Sequence, residues 1–151
     1  GATSGKLYAS GQAGERFAVR NSGSFAIVEG CGAHGCEYMT GGNAIILGPV
    51  GDNFGAGMTG GMAFIYDEKN EFENFANPAS IIWQPVETEY WKKFLKESIK
   101  EFATFTFSQK GNKILKNFER ELKNFKQVCP IEMLDKLDNP ISLKPHIKKA
   151  G

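Results

Sequence analysis

The chain has 151 residues, of which 41% are apolar, and a formal net charge of +1. This composition permits a packed core and excludes wholesale disorder, while the small net charge gives no reason to expect nucleic acid or a membrane as a partner. No apolar run approaches the ~20 residues that span a bilayer, and three cysteines are poor material for a disulfide framework. We therefore expect a cytoplasmic protein with reduced thiols.

The first part of the chain is a repeat, which becomes visible when the sequence is laid on itself at an offset of 19. At this offset Gly23, Gly42 and Gly61 align, and residues 39–41 (MTG) align with residues 58–60 (MTG). A period near 20 predicts a solenoid with one coil per repeat. Leucine is too scarce before residue 80 for a leucine-rich repeat, and short apolar runs bounded by glycine favour strands. The sequence therefore predicts a parallel β-helix.

The apolar runs 25–28, 44–47 and 63–66 are the predicted strands. They are apolar at nearly every position, which predicts that both faces are covered. Strict alignment of the repeats places one set of side chains inside the coil: Phe25, Ile27, Ala44, Ile46, Ala63 and Ile65. It places a second set outside, where it needs a covering layer: Ala26, Ile45 and Phe64.

From Thr88 onward the apolar period becomes helical. One amphipathic helix is predicted after Thr88, with its apolar stripe at Trp91, Phe94, Leu95, Ile99, Phe102 and Phe105. A second is predicted after Ser108 and extends to Phe125, and a third, short helix begins at Pro130. A basic, irregular tail follows. The predicted fold is mainly β: coils over residues 1–67, a connector over 68–87, and helices over 88–151 that dock on the outer face of the solenoid.

Residues 55–60 (GAGMTG), from Gly55 to Gly60, match the G-x-G-x-x-G pattern of dinucleotide-binding loops. That mechanism requires a helix directly after the loop, whose N-terminal amides hold the pyrophosphate. A strand-like run follows here instead, so we interpret the glycines as solenoid corners. A free-standing nucleotide-binding protein that uses this loop is the alternative from another functional class.

Two further clusters resemble sites. Cys31, His34 and Cys36 are close in sequence, but their spacing and number fit neither a zinc site nor an oriented nucleophile–base pair. The three acidic residues Glu15, Glu29 and Glu37 suggest paired acids, but nothing in their spacing selects two of them. We therefore predict no catalytic, cofactor-binding or metal-binding residue.

Four strings in the first part resemble the glycine-repeat domain at the C-terminal end of glutamate synthase large subunits. They are residues 1–5 (GATSG), 13–23 (AGERFAVRNSG), 34–42 (HGCEYMTGG) and 53–61 (NFGAGMTGG). The resemblance is dense over residues 1–67 and looser afterwards. A glycine-repeat subunit of formylmethanofuran dehydrogenase is the nearest rival family.

The resemblance implies a right-handed β-helix with a structural, non-catalytic role. The parent enzyme would make two glutamates from glutamine and 2-oxoglutarate with reducing equivalents, in ammonia assimilation. Its FMN and iron–sulfur cluster would lie in upstream domains, with none in this segment. Expected partners are the upstream glutaminase and synthase domains and a reductase subunit. The family's solenoid starts before Gly1, so we expect a truncated first coil over residues 1–9. Its exposed edge would lie near Leu7 and Tyr8 and would either associate with another copy or fray.

Overall fold

The computed structural model describes residues 4–141, so the predicted basic tail lies mostly outside the described residues. These residues form one six-stranded sheet and three α-helices, connected by turns and short 3-10 segments. The strands are β1 (Lys6–Ala9), β2 (Ser22–Val28), β3 (Thr40–Ile46), β4 (Gly60–Tyr66), β5 (Ile81–Pro85) and β6 (Phe125–Pro130). The helices are α1 (Glu89–Thr106), α2 (Gln109–Lys116) and α3 (Phe118–Glu121).

Strands β1 to β4 are parallel neighbours, and each is reached from the last by one coil of the chain. The β-solenoid predicted from the repeat is therefore confirmed, with about three turns. The predicted offset of 19 holds for Tyr8 opposite Ile27 and for Ile46 opposite Ile65. Between β2 and β3, however, Ile27 lies opposite Ile45, an offset of 18.

This change of register alters which side chains of β2 face into the coil, so the predicted inner and outer sets need correction. Ser22 pairs with Gly41 and Phe25 with Asn43, so Gly23 and Ser24 bulge out of the ladder. Asn21 fixes the bulge, because its Oδ1 accepts hydrogen bonds from the amides of Gly23 and Ser24 at 3.1 and 2.9 Å. A slip of one residue moves every side chain of a strand to the opposite face.

The slip turns Ile27 outward, so the predicted inward position of Ile27 is wrong and Val28 replaces it. Phe25 also lies on the outer side, and Ala26, predicted to face outward, lies inside the coil. The predicted orientations of the other two strands are correct. In those strands Ala44, Ile46, Ala63 and Ile65 face inward, while Ile45 and Phe64 face outward.

The turns between strands repeat an uncommon backbone conformation. In each of the three coils, alternate residues are left-handed, with φ between +55° and +77°. They are Arg16, Ala18 and Arg20 in the first coil, His34, Cys36 and Tyr38 in the second, and Asn53, Gly55 and Gly57 in the third. Most residues in this conformation are strained. Hydrogen bonds between coils hold it, such as the one from the Cys36 amide to the Phe17 carbonyl at 2.7 Å.

The end of the solenoid after β4 is covered by β6, which runs in the opposite direction. Strand β6 lies between β4 and β5 and is antiparallel to both, so the sheet is mixed. The prediction that Phe125 lies in a helix and that Pro130 begins one is wrong, because these residues begin and end β6. A 3-10 turn at Ile131–Met133 replaces the third helix, and β5 lies inside the predicted connector.

The helices cover the outer face of the sheet. Helix α1 begins directly after Thr88, and its buried residues include Trp91 and Phe102. They join an outer core that also holds Ile45 and Phe64. Phe105, predicted to lie in the apolar stripe, is instead 69% exposed, and the second predicted helix is broken between α2 and α3.

Candidate functional site

The glycine-rich loop lies in the turn of the third coil and is followed by β4. Its amides are engaged inside the protein, because Gly55 donates to the Gly35 carbonyl at 2.9 Å and Gly57 to the Ser80 hydroxyl at 2.9 Å. The Tyr38 ring covers Gly57, where an added Cβ would lie 2.5 Å from it. Close packing between coils therefore explains the glycine at this position.

The structure separates the thiols from the imidazole. Cys31 and Cys36 belong to the inner core, whereas His34 has a side chain that is 40% exposed. Burial raises the pKa of the Cys31 thiol to about 12 and that of Cys36 well above its ordinary value. A protonated thiol is a poor nucleophile and a poor metal ligand. Within residues 4–141, no group of three His, Cys, Asp or Glu residues is arranged to hold a metal ion.

His34 belongs to a polar network that crosses successive coils. Its Nδ1 lies 2.6 Å from Glu37 Oε2, and the Asn53 side-chain amide donates to the same oxygen at 2.9 Å. Asn77 in turn donates to Asn53 Oδ1 at 3.1 Å. The network links the turns of the second and third coils to the segment before β5. The geometry of the network therefore indicates that Glu37 has a structural role as a hydrogen-bond acceptor.

Glu29 has a separate function from Glu37, at the junction of solenoid and helices. Its Oε1 accepts a hydrogen bond from the Gly11 amide at 2.6 Å, and its Oε2 accepts one from the Ser108 hydroxyl. Ser108 is buried and also accepts from the Gly111 amide at 3.0 Å, which caps α2. One carboxylate thus connects the first coil, the second coil and α2. Glu15, the remaining candidate acid, is exposed.

Two tyrosines of the sheet bind glutamates of the helices in the same manner. The Tyr66 hydroxyl of β4 donates to Glu121 of α3 at 2.6 Å, and Tyr8 of β1 donates to Glu101 of α1. The bonds from Tyr8 and Lys6 lower the pKa of Glu101, and the Tyr66 bond lowers the pKa of Glu121. Burial, together with the Glu121 bond, raises the pKa of Tyr66 to about 12.

We call Glu29–Ser108, Tyr66–Glu121 and Tyr8–Glu101 the three latches. Sequence analysis named Glu29 only as an acid of unknown role and missed the other five residues as a set of contacts. The available signal was weak: Tyr8 and Tyr66 are aromatic residues in apolar runs, each with one polar atom that needs a partner when buried. Their partners lie 93 and 55 residues away, which no local pattern reveals.

Exposed apolar side chains lie in the first strand and at the end of α1. Leu7, Phe105 and Phe107 are 55%, 69% and 83% exposed, and the Phe105 ring stacks on Tyr8 with centroids 6.2 Å apart. Sequence analysis predicted an exposed first coil at Leu7 and Tyr8, but assigned Phe105 to the core. A cleft of about 300 Å³ is lined in part by Leu7.

These features define a glycine-repeat β-solenoid with helices fixed to one face. Within residues 4–141 no helix is long and apolar enough to cross a membrane. The family described as "GXGXG motif" matches residues 1–131. The chain belongs to this family.

Its relatives include glutamate synthases whose names specify NADPH, NADH or ferredoxin. The "Glutamate synthase [NADPH] large chain" of Azospirillum brasilense is 54% identical over 150 residues, which are 99% of this chain and 10% of the relative. The "Glutamate synthase [NADH]" of Schizosaccharomyces pombe is 44% identical over 149 residues, 99% of this chain and 7% of the relative. The "Ferredoxin-dependent glutamate synthase 2" of Synechocystis is 49% identical over 130 residues, 86% of this chain and 8% of the relative. The chain spans a tenth or less of the length of these relatives.

Proposed function

We propose that this chain is the structural, non-catalytic C-terminal domain of a glutamate synthase large subunit. The parent enzyme makes two glutamates from glutamine and 2-oxoglutarate with reducing equivalents, and this segment braces its glutaminase and synthase domains. The observation that carries the proposal is that the thiols and carboxylates, which are reactive groups in many enzymes, pack in the core or make structural hydrogen bonds in this chain. Cys31 and Cys36 lie in the inner core, Cys129 lies in the outer core, and three carboxylates connect the solenoid to the helices.

The relatives support this proposal over the formylmethanofuran dehydrogenase alternative, because the curated relatives named above are all glutamate synthases. The engaged amides of Gly55 and Gly57 weigh against the nucleotide-binding alternative. In the proposal the coil is right-handed and the protein is cytoplasmic. The FMN, the iron–sulfur cluster and any contact with a reductase subunit belong to other parts of the parent.

The proposal is tested on the purified chain and on its parent. We expect the 151-residue chain to hydrolyse no glutamine and to bind no FMN by calorimetry. Removing the segment from the parent should weaken the association of the glutaminase and synthase domains, measured by limited proteolysis. Stoichiometric FMN or dinucleotide binding by the chain alone would contradict the structural role.

We further propose that the solenoid at 1–67, the connector at 68–87 and the helical segment at 88–151 fold as one unit. The outer core supports this, because it mixes Ile45 and Phe64 of the solenoid with Trp91 and Phe102 of α1. Expressing residues 1–85 and 86–151 separately should give fragments that are insoluble or lack a cooperative transition, because each exposes half of that core. Two soluble fragments with separate cooperative melts would refute the single unit.

A further inference from the structure

We propose that the outward side of the helical layer is an electrostatic docking surface for an acidic region of the parent polypeptide outside this chain. The inference rests on the proposed function, in which the chain braces other domains of that parent. The surface carries six exposed lysines, which we call the lysine face. They are Lys93, Lys96 and Lys100 in α1, Lys113 and Lys116 in α2, and Lys123 in the 3-10 turn after α3.

Helical spacing places the lysines of α1 on the side that faces away from the core. They are three and four residues apart, so they lie on one side of the helix. Leu95 and Ile99 lie on the opposite side and belong to the outer core. Helices α1 and α2 pack together, and the Nζ of Lys96 in α1 lies 5.7 Å from the centre of the Phe118 ring in α3. The lysines of the three helices therefore belong to one layer.

The glutamates of the helices leave the lysine face mostly uncompensated. The two tyrosine latches hold the carboxylates of Glu101 and Glu121 against the sheet. Within residues 4–141 none of the six lysines forms an ion pair. Glu97 and Glu119 are the exposed acids of α1 and α3 that are also without an ion pair in that range. Six positive charges thus face two negative ones, which gives a net charge of +4.

This arrangement is unfavourable for the isolated helices, and an acidic partner would relieve it. Like charges three or four residues apart destabilise a helix, and the lysines at 93, 96 and 100 and those at 113 and 116 have this spacing. A negatively charged surface would replace the repulsion with attraction. Charge complementarity chiefly sets the orientation and rate of association. The lysine face would therefore guide docking more than it adds affinity.

The chemistry of the lysine face favours an acidic protein surface over nucleic acid. The six positions include no arginine for bidentate phosphate binding and no aromatic ring on which a base could stack. The net charge of the whole chain is only +1, unlike that of a strongly basic nucleic-acid-binding domain. The chain spans a tenth or less of its relatives, so most carboxylates of a parent of that length lie outside it.

Chemical cross-linking of the intact parent enzyme tests the proposal. A carbodiimide joins a lysine amine to a carboxylate without a spacer, so it links only groups in contact. We expect mass spectrometry to find the six lysines linked to aspartates or glutamates of the parent outside this chain. Their acetylation should also be slower in the parent than in the 151-residue chain. Absence of such links with equal acetylation rates, links to a separate subunit alone, or protection that nuclease removes would overturn the proposal.

Charge reversal gives an independent measurement. The parent variant Lys93→Glu, Lys96→Glu and Lys100→Glu should be cleaved by protease between this segment and the other domains about tenfold faster, the lower end of the range for electrostatic steering. The matched control Lys69→Glu changes an exposed lysine outside the helical layer and should leave that rate unchanged. Glutamine at the same three positions, a good helix former, covers the case in which the reversed variant fails to fold. An unchanged cleavage rate in both variants would refute the docking surface.

These outcomes are separable from those of the proposed function. If removing the segment weakens the association of the parent's domains but the lysine variants do not, the bracing role stands and the docking surface is refuted. If removing the segment has no effect, the bracing role fails and the docking surface fails with it.

Discussion

At the scale of single residues, the close approach of neighbouring coils decides which glycines can be replaced. An added Cβ at Gly60 would lie 2.0 Å from the Thr40 carbonyl oxygen, and backbone of this kind cannot move aside. Gly14 also lies in a coil, but a Cβ added there would meet nothing within 4 Å. A side chain at position 60 would therefore collide with the backbone of the neighbouring strand, whereas one at position 14 would meet no neighbouring atom.

We expect Gly60→Ala to lower the free energy of unfolding by about 3 kcal/mol, because it forces two paired strands apart. The matched control Gly14→Ala should change it by less than about 0.5 kcal/mol. Urea denaturation of both variants measures the difference. Equal stability of the two variants would show that the coils are not packed as closely as the structure has them.

The latch between Tyr66 and Glu121 is a second property of single residues. Tyr66→Phe removes the donor and leaves a nearly buried carboxylate short of one partner, which should cost about 1 to 2 kcal/mol of stability. Tyr90→Phe is the control, because Tyr90 is 51% exposed and its hydroxyl has no partner among the described residues. Chemical denaturation of the two variants checks this; a loss for Tyr90→Phe as large as for Tyr66→Phe would argue against a specific bond.

At the scale of elements, the two main helices begin differently. Ser108 caps α2 with its side chain and also donates to Glu29, so it stabilises both the helix and its docking on the solenoid. Thr88 occupies the equivalent position before α1, but its hydroxyl makes no capping bond and is buried without a partner among the described residues. The same type of cap residue is therefore used at one helix and unused at the other.

Ser108→Ala should lower the free energy of unfolding by about 2 kcal/mol, since it removes a cap and a bond to a carboxylate. Thr88→Ala should be neutral within about 0.5 kcal/mol, because the hydroxyl that it removes is unsatisfied. Thermal melts followed by circular dichroism compare the two variants. If Thr88→Ala proved the more costly of the two, the capping assignment would be wrong.

At the scale of the whole molecule, the latches and buried thiols set the dependence of stability on pH. The pKa values of Glu101 and Glu121 are lowered on folding from 4.5, so their contribution is present above about pH 4.5 and is lost as the pH falls through the lowered values. The pKa values of Cys31 and Cys129 are raised by burial from 9.0 to about 12. Their contribution is complete below pH 9 and is lost as the pH rises toward 12.

We therefore expect a stability profile that is flat between about pH 5 and pH 9 and falls on both sides. The alkaline fall should steepen above about pH 10, where Tyr66 ionises in the unfolded chain before it does in the folded one. Urea midpoints measured from about pH 3 to about pH 11 give this profile. Stability that rose across the alkaline half of that range would be incompatible with buried, neutral thiols.

The glycine repeat determined much of the architecture from sequence alone. Glycine spacing located the coils, and helical periodicity located α1, because both signals are local. The strings such as residues 34–42 were specific enough to indicate the family, which the match over residues 1–131 shows. The glycine loop was identified as a coil turn from the strand that follows it.

Tertiary structure alone decided the rest, because the deciding contacts join distant residues. The Asn21 bulge shifts one strand by a single residue and reverses Ile27 and Ala26, although the sequence repeat continues through it. Strand β6 forms because β4 and β5 supply partners for it, whereas its local sequence extends a helical pattern. The two tyrosine latches join residues 55 and 93 positions apart. Sequence periodicity indicates which face of a helix or strand is apolar. Only the folded chain determines which distant residues that face contacts.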